Sequence, residues 1–398
     1  MKLNWKFITR NILFLSLISF FTDVASELLY PVIPLYLSSI GISVSGIGII
    51  EGMAETIAAI SRTYFGIWSD RIQKRKLFII VGYGLSALSK PLMVLVPNYF
   101  WVLLMRVSDR LGKGIRTAPR DALLSDESLG KDKGKVFGFH RSMDTLGAAV
   151  GPFIALMILM VYHWSYQSLF LLAFIPGVLA MIFSFLIKEK KSINTIQEKK
   201  KIQFKELFSY WNRSSREFKV VSVLIIVFYL FNSSDMLLLL KARTNQISDS
   251  QVIILYIIYN ISYALLAFPF GVIGDKLGLK NTIAFGLMFF GIVYLGISLF
   301  NNWYEMIVLL ILYGVYSAAI EGNIKALLSN LADRKETATA IGLFTTLQSA
   351  TFLISNSLAG WLWDTFNSSL PFILSGAVAM IISVLLFIYK IPKSSFNE

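Results

Sequence analysis

Residues 99–125 read YFWVLLMRVSDRLGKGIRTAPRDALLS, an apolar stretch of membrane-spanning length that also carries many ionisable side chains. At about 100° per residue in a helix, most of the charged positions fall within about 60° of one direction, which predicts a single charged stripe. A charge at the bilayer centre costs about 2.5 to 3.5 kcal/mol, so such a stripe persists only where it faces protein or water. The stretch therefore predicts a helix in a bundle with a polar interior. Its charged residues are Arg106, Asp109, Arg110, Lys113, Arg116, Arg120 and Asp121.

The composition of the whole chain is typical of a membrane protein. Of its 398 residues, 56% are hydrophobic and only 15% are charged. Apolar runs of about 20 residues, enough to cross about 30 Å of hydrocarbon, recur along almost the whole chain. Lipid offers no partner for an unpaired backbone group, so runs of this length form α-helices rather than barrel strands. We predict an all-α polytopic membrane protein with about twelve transmembrane helices.

The net charge of +13 follows the loops and is not gathered on one face. Basic residues collect near the N-terminus and in residues 71–76, 131–135 and 188–219, whereas the intervening short turns hold none. This asymmetry predicts a multi-pass protein of the cytoplasmic (inner) membrane with both termini and the central loop in the cytoplasm. The same distribution argues against a nucleic-acid partner. The absence of cysteine excludes disulfides and thiol chemistry.

The chain repeats itself weakly at an offset of about half its length. ALLS at residues 122–125 returns at residues 326–329, and Gly66 and Asp70 return as Gly271 and Asp275. We predict two pseudo-symmetric six-helix bundles, residues 1–187 and 218–398, joined by a basic cytoplasmic linker over residues 188–217. Parallel repeats that enclose a central cavity are a transporter architecture.

Two loop segments resemble the loop signature of the major facilitator superfamily, a glycine followed by an acidic residue and a basic cluster. They are GIWSDRIQKRK at residues 66–76 and GVIGDKLGLK at residues 271–280. Arg106 sits where the family has an arginine linked to proton coupling, and GAAVGP at residues 147–152 is similar to the helix-bending signature of proton antiporters. Residues 109–121 resemble a bacterial branch often labelled as multidrug or efflux permeases.

The resemblance implies a secondary transporter that works by alternating access, with the proton gradient as its energy source and no cofactor. It also implies a cytoplasmic gate at the two loop signatures and a bend in the fifth predicted helix. The gate residues are Gly66, Asp70, Arg71, Arg75, Gly271, Asp275 and Lys276, and the helix-bending residues are Gly147, Gly151 and Pro152.

Intramembrane carboxylates are the candidates for proton coupling. Asp23 and Glu27 lie one turn apart on the first predicted helix, and two carboxylates that repel in a low-dielectric site favour uptake of a proton. Asp144 lies four residues after His140, so a proton could pass between them. Glu321 is the candidate in the second half. The alternative is that each acid neutralises a cation, as Glu321 would with Lys325.

Two kinds of substrate remain open. If part of the charged stripe is unpaired, the cavity favours an anion or zwitterion; if all of it is paired, an amphiphile against aromatic rings is favoured. The rings would be those of Phe20, Phe21, Tyr30, Tyr313 and Tyr316. The candidates for the substrate cavity are Tyr30, Arg106, Asp109, Arg110, Lys113, Tyr313 and Ser317.

We therefore predict proton-coupled efflux of a small amphiphilic or anionic solute by a monomer whose partners are the lipid bilayer, the solute and protons. Proton-coupled uptake of a small organic anion is the main alternative, and a receptor that binds without transport is another. A membrane-embedded enzyme that acts on lipid or peptide is remote, because no Gly-x-Ser-x-Gly or His-Glu-x-x-His pattern occurs. With His140 and His163 as the only histidines, we predict no metal site.

Overall fold

The computed structural model describes residues 8–72, 74–127, 133–162, 164–189, 204–244, 247–300, 302–332 and 336–392. These residues are almost entirely helical and contain no strand, which confirms the all-α prediction. The helices are α1 (Arg10–Leu29), α2 (Val32–Ser39), α3 (Val44–Ile72), α4 (Arg75–Met93), α5 (Tyr99–Glu127), α6 (Lys133–Met157), α7 (Tyr166–Leu186), α8 (Phe204–Arg213), α9 (Arg216–Phe231), α10 (Asp235–Thr244), α11 (Asp249–Leu277), α12 (Leu279–Leu299), α13 (Trp303–Leu331), α14 (Thr337–Thr365) and α15 (Leu370–Ile388).

Ten helical segments of the described chain are long and apolar enough to cross a membrane. Two further helices, α5 and α14, are each 29 residues long. Helix α5 is more polar than the ten segments because of its charged stripe. Together these segments agree with the multi-pass prediction.

The helix ends follow local sequence signals. Thr9, Ser165, Ser215 and Ser248 each accept a hydrogen bond from a first-turn amide of the helix that follows, which satisfies a donor that the helix leaves free. Pro31, which has no amide proton to donate, precedes α2 and separates it from α1. A second break, at residues 232–234, separates α9 from α10.

The chain divides into two compact units. The first comprises Met1–Ile42 and Met53–Asn194, and the second comprises Ser43–Gly52 and Thr195–Glu398. In the first unit, α1 packs along α6 and α7, and α4 packs along α5 and α7. In the second unit, α13 packs on α11 and α12, α12 packs on α15, and α9 packs on α14 and α15.

Two features of this division differ from the boundaries expected from the sequence. The first turns of α3 belong to the second unit, because Gly52 lets the backbone of α14 come close; a Cβ there would lie 2.9 Å from the Cα of Leu353. Asp364 at the end of α14 accepts from the Ser45 amide at 2.7 Å. The predicted linker, residues 188–217, contains α8, while its residues 190–203 lie outside the described part.

Candidate functional site

A buried ionic cluster joins α4 to α5. The Asp109 carboxylate accepts from the Lys90 ammonium at 2.8 Å and from the Ser86 hydroxyl at 2.5 Å. The Arg106 guanidinium donates to its second oxygen at 3.4 Å. The exposed fractions of Lys90, Arg106 and Asp109 are 3%, 3% and 6%. Because these charges are paired and hydrogen-bonded, they can remain inside a membrane helix pair.

Helix geometry accounts for this cluster. Ser86 and Lys90 are four residues apart on α4, and Arg106 and Asp109 are three apart on α5, so each pair shares a helix face. Gly112 brings the two backbones together; a Cβ there would lie 2.6 Å from the Gly82 carbonyl oxygen. This close approach of α4 and α5 places the Lys90 ammonium in contact with the Asp109 carboxylate.

Two other arginines of the stripe have partners on neighbouring helices. Arg110 pairs with Glu55 of α3, with 3.1 Å between Nε and Oε1. The Arg116 guanidinium lies 4.4 Å from the centroid of the Tyr83 ring, within range of a cation–π contact. Lys113, by contrast, is exposed and forms no ion pair within the described residues. Lys113 and Arg116 thus form no ion pair among the described residues, and the stripe is only partly neutralised, which is the condition under which an anion or zwitterion is favoured over an amphiphile.

A chain of polar contacts links α5, α1 and α6. Arg120 donates to the Ser19 hydroxyl at 2.8 Å, and Ser19 hydrogen-bonds the Nε2 atom of His140 at 2.9 Å. The other ring nitrogen of His140 lies 3.6 Å from a carboxylate oxygen of Asp144. Arg120 also pairs with Asp121 at 2.8 Å. Ser19 and His140, in the middle of this row, are buried.

The acids predicted to couple protons in the first unit, on α1 and α6, interact electrostatically. Asp23 is within electrostatic range of Glu27 and Asp144, and also of Lys113 and Arg120. Lys113 is within range of Glu27 and Glu55 as well. One oxygen of Asp144 is buried without a hydrogen-bond partner among the described residues. The cluster is a group of carboxylates around one exposed ammonium, and a proton or a cation could change its charge.

The predicted helix-bending residues lie where α6 packs against α1. A Cβ on Gly147 would lie 2.5 Å from the Phe20 carbonyl oxygen, and one on Gly151 would lie 2.6 Å from the Leu28 amide. Helix α6 continues through Pro152 to Met157 before a π-helical turn at Ile158–Tyr162. The structure thus assigns the two glycines to close helix packing, and a functional bend stays a prediction.

The two predicted gate signatures have different surroundings. In the first unit, Arg75 pairs with Asp70 at 3.2 Å and with Asp126, and Glu189 accepts from the Arg75 amide at 2.6 Å. Asp126 and Glu189 were not among the predicted gate residues. In the second unit, Asp275 is exposed and lies in a cavity of about 660 Å³ with no ion pair among the described residues. The first signature is therefore a charged network, whereas its repeat is open.

The interior of the second unit is lined by tyrosines and carries fewer charges. Tyr313 of α13 donates to Asp235 at 2.6 Å, and its ring lies 5.0 Å from that of Tyr259 on α11. Tyr259 hydrogen-bonds Ser317 at 3.2 Å. Tyr313 and Ser317, both predicted to line a substrate cavity, are only 2% and 4% exposed.

Glu321 has a different partner from the one considered in the sequence. Its carboxylate accepts from the Tyr263 hydroxyl at 2.6 Å, and it forms no ion pair with Lys325 in the described structure. Spacing of four residues allows a Glu–Lys pair on a helix, but a phenol on the neighbouring helix supplies a donor here. Glu321 is also exposed, unlike most of the tyrosines beside it.

The sequence placed Arg106 and Asp109 among the cavity residues, and the structure places them inside the α4–α5 interface. Lys90 and Ser86 explain the difference, and neither was a candidate. A signal was available, because Lys90 is the only charged residue between Leu77 and Val96. An isolated lysine in an apolar span requires a partner. Among the described residues, no group of three or more acidic or histidine side chains is arranged to hold a metal ion.

Comparison with known proteins identifies the architecture. The sequence model of the Major Facilitator Superfamily matches residues 15–240 and 221–397. The chain belongs to this superfamily. An uncharacterised major facilitator superfamily transporter of Methanocaldococcus jannaschii is 35% identical over 392 residues, 97% of this chain and 96% of that protein. The multi-drug resistance efflux pump PmrA of Streptococcus pneumoniae is 22% identical over 84% of this chain and 83% of the pump.

Solved structures agree with the fold of the superfamily. The nucleoside transporter NupG matches with a TM-score of 0.79 at 12% identity, over 96% of this chain and 100% of that chain. The peptide transporter POT in complex with sulfate matches with a TM-score of 0.77 at 13% identity, over 95% and 94% of the two chains. At these identities the likeness concerns the fold alone. Membership in the superfamily confirms a multi-pass membrane transporter, and the superfamily is not one of enzymes.

Proposed function

We propose that this superfamily member is a secondary transporter that exports a small amphiphilic solute from the cytoplasm in exchange for protons. The single observation that carries the coupling is the group of carboxylates around Lys113, in which Asp23 lies within electrostatic range of Glu27 and Asp144. Like charges in a low-dielectric site repel, and a proton bound to one carboxylate would remove part of that repulsion. A change of charge there can bias a two-state transporter.

The direction and solute class rest on separate observations. A relative that spans most of the chain is named as a multi-drug resistance efflux pump, which supports export. Although Lys113 and Arg116 form no ion pair among the described residues, the carboxylates of Asp23, Glu27 and Glu55 lie within electrostatic range of Lys113 and oppose a small anion there, which supports an amphiphile. The membrane would be the cytoplasmic membrane, with both termini in the cytoplasm, and a monomer without any cofactor would suffice.

The test is transport by purified protein in liposomes with an imposed pH gradient. We expect the gradient to drive movement of the cationic dye ethidium or the anionic dye carboxyfluorescein against its concentration gradient, with proton movement in the opposite direction recorded by an internal pH dye. Movement of solute and proton in the same direction would instead establish uptake by symport. Absence of a response to the gradient for every probe would refute proton coupling.

Two variants test whether these carboxylates couple solute transport to protons. Glu27→Gln and Asp144→Asn each remove one charge from the group and should abolish proton-driven flux while leaving insertion intact. The matched control is Glu127→Gln at the end of α5, where the side chain accepts from Asn11 and Thr9 outside the carboxylate group. Unchanged proton-driven flux in both Glu27→Gln and Asp144→Asn would refute the assignment.

A further inference from the structure

A row of tyrosines in the second unit ends at an accessible carboxylate. Along α11 and α13, Tyr259 faces Tyr313 and Ser317, and one turn further Tyr263 meets Glu321. Gly314 allows α11 and α13 to pack closely, because a Cβ there would lie only 2.8 Å from the Tyr263 backbone nitrogen. Tyr259 is 9% exposed, Tyr263 is partly exposed and Glu321 is exposed. Side-chain exposure therefore increases along the row from Tyr259 to Glu321.

The charge on Glu321 has no cationic partner among the described residues. Its hydrogen bond comes from the neutral Tyr263 phenol, and Lys325, one turn along α13, does not pair with it. Tyr229 of α9 is a second phenol within electrostatic range of the carboxylate. At the end of α9, the Oδ1 atom of Asn232 is buried without a donor in the described structure, while its amide nitrogen donates to the Tyr316 hydroxyl at 3.2 Å. These groups offer acceptors and ring faces but no basic side chain in contact with the acid.

A carboxylate beside electron-rich rings binds a positive charge attached to an apolar body. The face of a tyrosine ring attracts a cation within about 6 Å, and the attraction grows to about 2 kcal/mol when water is excluded. We propose that the second unit binds an organic cation, with its charge at Glu321 and its apolar part against the rings of Tyr263 and Tyr259. This substrate class rests on the proposed transport function and specifies the charge of the solute.

The experiment compares two probes of the same shape and opposite charge. Equilibrium binding of tetraphenylphosphonium and tetraphenylborate is measured on the purified full-length protein in detergent. We expect saturable binding of the phosphonium with a Kd at least about ten-fold lower than that of the borate, which is a difference of about 1.4 kcal/mol. Equal affinities, or tighter binding of the borate, would overturn the proposal.

Variants locate the binding site. Glu321→Gln should raise the Kd for tetraphenylphosphonium by about ten-fold or more, and Glu321→Asp should restore part of the affinity because it keeps the charge. Tyr263→Phe keeps the ring and should cost less than Tyr263→Leu, which removes it. The matched control is Asp249→Asn, which removes an acid at the other end of α11 where Asp249 pairs with Arg243. Binding by Glu321→Gln equal to that of the unmodified protein would refute the site.

Further results distinguish failure of cation binding at Glu321 from failure of the proposed transport function. If Glu321→Gln does not fold, as judged by size-exclusion chromatography, the phosphonium and borate affinities of the unmodified protein decide the question. Binding of the phosphonium that depends on Glu321, without flux in liposomes, would support this inference and refute transport. Proton-driven flux of another solute without such binding would refute only the inference.

Discussion

At the scale of single residues, the Asp109 carboxylate is the centre of the interaction between α4 and α5. It accepts from Ser86, Lys90 and Arg106, which lie on two helices. Removing one partner of a buried ion pair leaves the other charge in a low-dielectric interior, which costs about 3 to 5 kcal/mol. Removing one partner of the Lys90–Asp109 pair therefore destabilises the protein by more than the intact pair stabilises it.

We predict that Lys90→Met lowers the thermal unfolding temperature of the detergent-solubilised protein, because Asp109 loses its closest cation. The double variant Lys90→Met with Asp109→Asn should be more stable than Lys90→Met alone, because the buried charge left behind is removed. Intrinsic fluorescence on heating gives the measurement. Lys76→Met is the control, since its ammonium bonds the Phe185 carbonyl at an exposed position. An unchanged unfolding temperature in Lys90→Met would contradict the prediction.

Sequence analysis did not predict the interaction partners of individual charged residues. Helical periodicity predicts a direction shared by most charged residues of α5, because that direction depends on one helix alone. The partners of those residues lie on other helices, and nothing in the spacing of α5 identifies Lys90 or Glu55. The same reason explains Glu321, whose local neighbour Lys325 was visible in the sequence and whose actual partner Tyr263 lies 58 positions away.

At the scale of helices, glycines decide which pairs pack closely. Gly112 on α5 has no room for a side chain, whereas a Cβ on Gly84 of α4 would meet only the Met181 sulfur at 3.6 Å. The two glycines belong to neighbouring helices of the same unit and differ mainly in what lies next to them. They form a matched pair for testing how much the close approach contributes.

We predict that Gly112→Ala destabilises the protein by about 1 to 3 kcal/mol, because the added methyl group pushes α5 away from the Gly82 carbonyl. Gly84→Ala should change stability by no more than about 0.5 kcal/mol. Unfolding temperatures of the two variants, measured side by side, provide the comparison. Equal effects would mean that Gly112 does not set the separation of α4 and α5.

The number of long helices was largely predictable, whereas the packing partners of each helix were not. Apolar run length is a local property, so the expected number of about twelve agrees with the ten apolar segments of the described chain together with α5 and α14. Gly147 and Gly151 were assigned a bend because their sequence is similar to a known signature. Their closest neighbours are backbone atoms of α1, and only a three-dimensional arrangement could reveal that contact.

At the scale of the whole molecule, the absence of native cysteine makes the orientation directly testable. Asn98 lies in the turn between α4 and α5, and Lys74 precedes α4, so the two exposed positions are at opposite ends of one spanning helix. The predicted topology puts Asn98 outside and Lys74 in the cytoplasm.

We predict that a membrane-impermeant maleimide labels Asn98→Cys in intact cells and leaves Lys74→Cys unlabelled. Permeabilised cells should allow both positions to react, which controls for accessibility of each thiol. The reverse pattern would invert the assigned orientation and place the termini outside. Because the background of native thiols is zero, labelling of either variant reports that one position.

The division into two units was only partly visible in the sequence. The repeated segments predicted two halves with a boundary near the basic linker, but they gave no reason to group Ser43–Gly52 with the second half. That grouping depends on contact between α3 and α14 at Gly48 and Gly52, which are far from α14 in the chain. Sequence repeats predict two similar halves, whereas contacts between helices that are far apart in the chain are visible only in the structure.

The Lys90–Asp109 pair also bears on how the chain enters the membrane during synthesis. Helix α4 carries a lysine and α5 carries several charges, so each is costly to insert alone. The two helices are consecutive and joined by the short turn 94–98, so they can leave the translocation channel as a hairpin with the charges already neutralised. A nascent chain that ends after Met93 would expose the lysine to lipid without its acid. We therefore expect stable insertion of α4 only after α5 has been synthesised.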